Sequence, residues 1–252
     1  MKISAVIIAF NEEAKIGGAI RSVEWADEIL VVDSESTDGT REIAAGLGAR
    51  VVIEKWRGFS AQKQLATDSA ENNWIFSIDA DERVSDKLMK EIAGIRQSGG
   101  AFDGYRISRL STYMGREIRH GGWYPDWQLR FFDRRKAHWK VVAIHESVEM
   151  ADGSAIGKLS GDLLHFSIDN AEQHCYMINN RYAPLSAEAM HARGTITSPL
   201  NIAFAGPISF LTTYVFKAGF LDGLPGLCIA YFGAYNVFLK HLLLWQLQNK
   251  KN

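Results

Sequence analysis

The chain has 252 residues, of which 47% are hydrophobic, with a formal net charge of -1 and an isoelectric point near 6.7. This composition excludes a disordered chain and allows one substantial folded domain. The nearly balanced charge gives no global attraction to nucleic acid, so nucleic acid is not an expected partner. The two cysteines, Cys175 and Cys228, match no metal or redox spacing. Together with an N-terminal apolar run of about eight residues, too short for a secretory signal, they favour a cytoplasmic protein.

Strands and helices are predicted to alternate over residues 1–100. Runs rich in β-branched and apolar residues predict strands at 2–10, 28–32, 50–53 and 74–78. Apolar residues spaced as on one helix face predict the intervening helices, for example Ile16, Ile20 and Val23 after the capping residue Asn11. Alternation of this kind predicts an α/β fold with a doubly wound, mainly parallel sheet.

Three acids follow the strand predicted at 74–78. Asp79, Asp81 and Glu82 stand where a parallel strand ends, which is where open α/β sheets bind ligands. Two carboxylates so close together can bind one Mg²⁺ or Mn²⁺ ion, which in turn binds diphosphates, so a metal-bound nucleotide is the simplest ligand. Lys63 lies near that nucleotide if the helix predicted at 58–72 points its N-terminus at the site. The alternatives are a solvated loop that caps the next helix and a solvated surface lysine.

Three segments, each at the end of a predicted strand, together resemble a known family. They are Ile7 to Glu13, Val31 to Thr40 and Asp79 to Glu82. In this order and at this spacing they resemble the family 2 glycosyltransferases with the GT-A fold. The resemblance implies that Asp33 contacts the uridine, and that Asp79 and Asp81 bind the ribose, the diphosphate and a Mg²⁺ or Mn²⁺ ion. It also brings Asn11 and Glu12 to the nucleotide-sugar site.

Arginine and aromatic side chains interleave over residues 104–140. Such interleaving also occurs in RNA-binding proteins, but no RNA-binding signature accompanies it here. Aromatic faces stack against sugar rings, and arginine binds phosphate bidentately. This stretch therefore predicts a phosphorylated saccharide as the acceptor.

Two more segments resemble related transferases, which have a similar strand followed by a His-Glu pair. They are Asp126 to Phe132 and Ala143 to Glu146. The resemblance brings Arg130 to the donor site and makes Glu146 the catalytic base, with Asp126 as second choice. A base is required because inversion at the anomeric carbon needs a deprotonated acceptor hydroxyl. His145 either completes the metal site or forms an ordinary exposed polar pair with Glu146. Three other histidines are too scattered to predict a metal cluster and are expected at the surface or in the core: His165, His174 and His191.

The C-terminal region is apolar and interrupted. Residues 195–216 carry no charge, and a second uncharged run covers 223–239, but prolines and glycines break both runs. Each run is marginal for a membrane span of about 20 residues, and lysines follow at the C-terminus. The region is therefore predicted to lie on the cytoplasmic face of the inner membrane without crossing it. Packing on the sheet or a homo-oligomer interface is the first alternative, and a re-entrant or spanning hairpin is the second.

The predicted organisation has three parts. Residues 1–100 form the nucleotide-sugar half and residues 101–168 the acceptor and catalytic half of one GT-A-like domain, while 169–252 form a helical extension. The whole pattern looks most like bacterial lipopolysaccharide-core β-glucosyltransferases, which implies that glucose moves from UDP-glucose to a heptose of the inner core. The alternatives are a polyprenyl-phosphate glycosyltransferase and a non-catalytic, membrane-held scaffold that binds sugar nucleotides.

Overall fold

A computed structural model describes residues 1–140 and 146–250 of the chain. The chain divides into two compact units, Met1–Arg109 with Asp126–His165, and Leu110–Pro125 with Phe166–Asn252. The first unit contains the strand ends where the sequence predicts the donor site, and the second contains the apolar C-terminal helices.

The first unit is built on a mixed β-sheet. The strands in chain order are β1 Ile3–Ala9, β2 Glu28–Asp33, β3 Arg50–Ile53, β4 Trp74–Asp79, β5 Glu82–Val84, β6 Gly104–Tyr113, β7 Arg116–Glu117, β8 Asp126–Asp133, β9 Ala137–Trp139, β10 Val148–Met150 and β11 Ile156–Ile168. Within the described residues, the sheet order is β3-β2-β1-β4-β8-β6-β11-β5, with β7 beside β6, and β9 pairs separately with β10. Strands β1 to β4 pair in parallel, whereas β8 runs antiparallel to both β4 and β6.

Helices cover both faces of this sheet. They are α1 Ile16–Ser22, α2 Thr40–Gly46, α3 Phe59–Ser69 and α4 Asp86–Ser98. Every residue of β1 is buried, and its side chains alternate between the faces: Ile7 belongs to the core cluster that contains residues of α1, α2 and α4, while Val6 belongs to the cluster that contains Ala66 of α3. The predicted α/β, doubly wound fold is confirmed, and the antiparallel half adds to the expected parallel one.

The second unit is mainly helical, although β7 and the last residues of β6 and β11 also belong to it. It contains α5 Ala171–Met177, a π-helical turn Ile178–Tyr182, α6 Ala183–Ala192, α7 Pro199–Leu211, a second π-helical turn Thr212–Phe216, a 3-10 turn Gly219–Asp222 and α8 Gly223–Asn249. Helix α8 packs against both α6 and α7. Among the described residues, the segments Pro199–Phe216 and Gly219–Asn249 are long and apolar enough to cross a membrane by length and composition, and few of their residues are buried.

Candidate active site

The carboxyl ends of neighbouring parallel strands bring distant polar residues to one edge of the sheet. Ala9 at the end of β1 pairs with Asp33 at the end of β2, and Ile8 pairs with Asp79 at the end of β4. Asn11 follows β1 after one residue. The side chains that the sequence assigns to the donor therefore share the edge at which open α/β sheets bind ligands.

Hydrogen bonds tie the loop after β1 to the loop after β2. Asp33 is fully buried, and its carboxylate accepts hydrogen bonds from the backbone N–H and the hydroxyl of Ser36. The Ser36 hydroxyl oxygen accepts from the backbone N–H of Asn11 at 2.9 Å, and the Thr40 hydroxyl oxygen accepts from that of Glu12 at 2.7 Å. Asn11 has a φ of 54°, a left-handed conformation that asparagine tolerates better than most residues. Asn11, Glu12 and Asp33 thus belong to one hydrogen-bonded wall.

Lys63 is a buried centre of charge. Its side chain, on α3, is only 2% exposed, so the surface-lysine alternative is wrong. The Lys63 Nζ atom lies 2.8 Å from Asp79 Oδ1 and 3.1 Å from Glu146 Oε1, and 5.2 Å from the centre of the Trp139 ring. The Lys63 ammonium group therefore lies between Asp79, the first acid of the acidic motif, and Glu146, the candidate base.

Arg130, on β8, reaches the same carboxylate from the antiparallel half of the sheet. Its Nη2 atom lies 2.9 Å from Asp79 Oδ2 and 3.1 Å from Glu82 Oε1. Its other two nitrogens, Nε and Nη1, are buried and have no hydrogen-bond partner within residues 1–140 and 146–250. Buried donors are normally satisfied, so unused ones on a buried cation indicate a place for an anionic ligand.

The two cations fix the protonation state of Asp79. Burial alone would raise the pKa of Asp79, but the positive charges of Lys63 and Arg130 outweigh it and hold that pKa well below its ordinary value. Burial likewise opposes the charge of Arg130, whereas Glu82 and Asp79 raise the Arg130 pKa above its usual range. Asp79 therefore stays ionised and is not the proton acceptor of a reaction at neutral pH.

The two candidate bases differ in how firmly they are held. Arg109 donates to Asp126 Oδ2 from Nε at 2.8 Å, with Nη2 at 2.7 Å, and Gln128 donates to Asp126 Oδ1 at 2.7 Å. Both oxygens of Asp126 are thus engaged. Glu146 accepts a hydrogen bond from Lys63 through Oε1.

Glu82 and Arg109 belong to this cluster and were not predicted as site residues. Glu82 is fully buried, accepts from the backbone N–H of Asp79 at 2.8 Å, and has Arg109 Nη1 at 3.6 Å. The signals in the sequence were the acidic run that contains Glu82 and the arginine-rich stretch that contains Arg109.

Asp81, the second acid of the motif, lies against a histidine. His165 on β11 is 3.3 Å from it, measured from Nε2 to Oδ2, and β11 pairs with β5 so that His165 stands opposite Glu82. Two ligand atoms of one small divalent cation lie about 3 Å apart, so this pair suits a Mg²⁺ or Mn²⁺ ion. His165, expected at the surface or in the core, therefore lies beside the acidic motif.

The other predicted metal ligands stand differently. Asp79 accepts hydrogen bonds from Lys63 and Arg130 through Oδ2, whereas its buried Oδ1 lies 2.8 Å from Lys63 Nζ and has no hydrogen-bond partner within the described residues. His145 lies outside the described residues. No group of three or more His, Cys, Asp or Glu side chains in the described part of the chain is arranged to hold a metal by itself. The described residues of the site nevertheless include five carboxylates against four cations, and this excess of negative charge suits a divalent cation: Asp79, Asp81, Glu82, Asp126 and Glu146 against Lys63, Arg83, Arg109 and Arg130.

The sequence profile of the family described as "Glycosyl transferase family 2" matches residues 4–148, which is more than half of the chain and includes every residue of the cluster except His165. The chain belongs to glycosyl transferase family 2. The predicted resemblance to this family is confirmed, and the protein is a glycosyltransferase with a GT-A-like fold.

Individual relatives of this family 2 glycosyltransferase extend the similarity beyond residue 148. The lipopolysaccharide core biosynthesis glycosyltransferase LpsC of Rhizobium meliloti is 30% identical over 96% of this chain and 94% of its own length. An uncharacterized glycosyltransferase of Rickettsia typhi, RT0209, is 33% identical over 99% of this chain and 88% of its own. A crystal structure of glucosyl-3-phosphoglycerate synthase from Mycobacterium tuberculosis with Mn²⁺, uridine diphosphate and glucosyl-3-phosphoglycerate covers 45% of this chain and 44% of that one, at 27% identity and a TM-score of 0.36.

Proposed function

We propose that this glycosyltransferase moves a hexose, glucose from UDP-glucose, with inversion to a hydroxyl of a lipid-linked saccharide, the heptose of a lipopolysaccharide inner core. The proposal that the chain binds a sugar nucleotide rests on the buried cluster of Lys63, Asp79 and Arg130, in which two N–H groups of Arg130 have no hydrogen-bond partner among the described residues. The acceptor half is supported by the similarity to a lipopolysaccharide core glycosyltransferase over nearly the whole chain.

Two groups of residues bind the sugar-nucleotide donor: one binds its diphosphate and the other binds its nucleoside. Arg130 Nε and Nη1 bind oxygens of the diphosphate, and Lys63 contributes a second positive charge beside them. The wall that contains Asn11, Glu12 and Asp33 contacts the uridine and ribose.

Asp81 and His165 would hold a Mg²⁺ or Mn²⁺ ion. When bound, such an ion neutralises the charge that develops on the leaving diphosphate. Asp79 also fixes Lys63 and Arg130, and Asp79 and His145 remain proposed additional ligands of the ion.

Glu146 takes the acceptor proton. The acceptor oxygen forms its bond to the anomeric carbon on the face opposite UDP, the bond between that carbon and the diphosphate oxygen breaks, and the hydroxyl proton passes to a Glu146 oxygen. Asp126 is the second choice because Arg109 and Gln128 already engage both of its oxygens. Lys63, 3.1 Å from Glu146, links the base to the donor-binding cluster.

The first test is calorimetric titration of the purified chain with UDP-glucose, UDP-galactose, UDP-GlcNAc and GDP-mannose, each with Mg²⁺, with Mn²⁺ and with chelator. Metal-dependent binding of UDP-glucose alone is expected. His165→Ala should lose the metal dependence, whereas His191→Ala, an exposed histidine on α6, should keep it. Binding that chelator leaves unchanged would contradict the metal assignment. Binding of none of the four nucleotides, with no UDP released from a sugar donor, would favour the scaffold alternative.

Transfer to lipopolysaccharide-core acceptors tests the base. Glu146→Gln should lower the transfer rate about 10²- to 10⁴-fold while UDP-glucose affinity stays close to wild type, and Asp126→Asn should lower it less. A lipid phosphate acceptor is already ionised and needs no strong base. A Glu146→Gln enzyme that retains most of its activity on polyprenyl phosphate would therefore favour the polyprenyl alternative.

A lipid-linked acceptor puts the enzyme at a membrane. We place it on the cytoplasmic face of the inner membrane, held peripherally by the apolar helices of the second unit, whose side chains are largely exposed. A homo-oligomer that covers the same side chains is the alternative to be tested.

A further inference from the structure

Helices α7 and α8 form an antiparallel hairpin with an exposed apolar surface. Phe204, Ile208 and Leu211 on α7 are at least half exposed, and so are Leu224 and Tyr231 on α8. At Gly206 an added Cβ would lie 3.1 Å from the Ala234 carbonyl oxygen, so a glycine lets the two helices approach closely. An open groove of about 580 Å³ between them is lined almost wholly by apolar atoms. Water is a poor solvent for such a surface.

Cations surround the turn of this hairpin. Lys217 begins the turn, and its Nζ lies 2.8 Å from where a Cβ of Gly122 would stand, while the Arg116 guanidinium donates to the Leu221 carbonyl oxygen at 3.3 Å. Both cations are exposed, and neither has a carboxylate partner within the described ranges. Arg119 lies over the Tyr124 ring and is paired with Glu117 at 2.9 Å. The turn thus presents positive charge next to apolar surface, the combination that anionic lipid headgroups attract.

The only acid of the turn is used internally. Asp222 is buried, and its carboxylate accepts from the backbone N–H groups of Arg119 and His120 at 3.2 and 2.8 Å and lies 2.9 Å from the His120 Nδ1 atom. Gly121 N–H also donates to the Lys217 carbonyl oxygen at 2.9 Å. These bonds fasten the turn to residues 119–121, so the turn does not move without that loop.

The far half of the hairpin is fastened as well. Tyr235 of α8 donates its hydroxyl to Asn179 Oδ1 at 2.8 Å, and Thr197, just before α7, contacts His241 and Gln248 of α8. Helix α8 also packs on α6. The helical run 171–192 that accompanies α8, with the residue after it, exposes charged side chains: Glu172, Glu188 and Arg193. Charges of this kind do not enter hydrocarbon without partners, so α8 does not cross a bilayer while this run lies along it.

We infer that the α7–α8 hairpin is an in-plane membrane anchor, which inserts its apolar surface among acyl chains from one side while Arg116 and Lys217 bind anionic phospholipid headgroups. The inference deepens the membrane location given under the proposed function and rests on it. It is independent of the donor site, because none of its residues belongs to that cluster.

The first experiment is co-sedimentation of the full chain with vesicles of phosphatidylglycerol and phosphatidylethanolamine, and with phosphatidylcholine vesicles as reference. Each basic residue near an anionic surface contributes about a fivefold factor in binding. Arg116→Gln with Lys217→Gln should therefore weaken binding to the anionic vesicles roughly thirtyfold. The matched control, Lys87→Gln with Lys90→Gln on α4, removes two exposed lysines elsewhere and should change little. Equal losses in both pairs, or a soluble oligomer that ignores both kinds of vesicle, would overturn the inference.

The second experiment tests sidedness. Both native cysteines are first removed by Cys175→Ser and Cys228→Ser. A single cysteine is then introduced, either Glu117→Cys beside the turn or Gln97→Cys on α4. Each variant is labelled with a membrane-impermeant maleimide in inverted and in right-side-out vesicles. Both positions should be labelled from the same side, and labelling from opposite sides would mean that the hairpin crosses. UDP-glucose calorimetry on the Arg116→Gln, Lys217→Gln protein should match wild type, so failure of the anchor and failure of the donor site give different results.

Discussion

Replacing Arg130 by methionine tests whether the cluster is held together by compensated buried charge. Arg130 is 4% exposed and shares its Nη2 between Asp79 at 2.9 Å and Glu82 at 3.1 Å. Methionine has a similar length and no charge. The substitution leaves Glu82, which is fully buried, with Arg109 as its remaining cation at 3.6 Å.

The expected loss follows from two opposing contributions. At an effective dielectric constant of about 20, a pair of charges 3 Å apart attracts by roughly 5 kcal/mol, so the two pairs of Arg130 gain roughly 10 kcal/mol together. Desolvation of each buried ion takes back several kcal/mol. Removing one partner while the others stay buried costs about 3–5 kcal/mol of unfolding free energy, a large share of the roughly 5–15 kcal/mol that a domain has.

Urea denaturation of the full chain, followed by tryptophan fluorescence, measures this loss. If the cost is the uncompensated charge of Glu82, then adding Glu82→Gln to Arg130→Met should restore much of the lost stability. Arg135→Met is the matched control, because Arg135 also pairs with an aspartate, Asp133 at 2.6 Å, but its own side chain is 64% exposed; it should lose little. Equal losses for Arg130→Met and Arg135→Met, or no recovery in the double variant, would refute the reasoning.

Two further predictions concern the second unit. Burial lowers the pKa of His174 to about 4 from an ordinary 6.5. Between pH 6.5 and pH 4 this histidine is therefore protonated in the unfolded chain and neutral in the folded chain. As pH falls, stability should therefore drop by about 1.4 kcal/mol per pH unit, about 3 kcal/mol in all, and thermal melting of His174→Gln should show a flatter pH profile. Gly226→Ala would put a Cβ 2.0 Å from the Gly219 carbonyl oxygen, so overpacking should lower the free energy of unfolding by about 1–3 kcal/mol and lower the melting temperature. Gly233 lies on the same helix with open space around it, so Gly233→Ala should raise the melting temperature slightly.

The parallel half of the sheet could be predicted because its signals are local. Each of β1 to β4 is a short apolar run, and the helices between them have a clear apolar face. In the antiparallel half the resemblance predicted a strand at Asp126 to Phe132, which is β8. Strand β6 was not predicted, although it alternates in part: Tyr105 is buried, and Arg106 is exposed. Its composition suggested sugar and phosphate binding instead. Which strands pair depends on contacts between β6, β8 and β4 over many residues, and no local pattern encodes them.

Only those residues of the charged cluster around Lys63 that belong to a sequence motif could be predicted with certainty as site residues. The acidic motif brought attention to Asp79, but whether Lys63 is buried or solvated depends on carboxylates 16 and 83 residues away. A lysine loses its hydration on burial and needs both partners to compensate. Its chemistry is therefore a property of the fold, and the sequence left two alternatives open.

His165 shows the same limit most sharply. It is separated from Asp81 by 84 residues, and no spacing motif connects them. Their contact depends on the antiparallel register of β11 on β5, which sets Leu163 opposite Val84 and His165 opposite Glu82. Because side chains alternate along a strand, a shift of one residue would turn His165 to the other face of the sheet and remove it from Asp81. Leu163 is fully buried in the core that includes Leu88 and Ile92, so the burial of a leucine two residues away holds the register that brings the histidine to the acid.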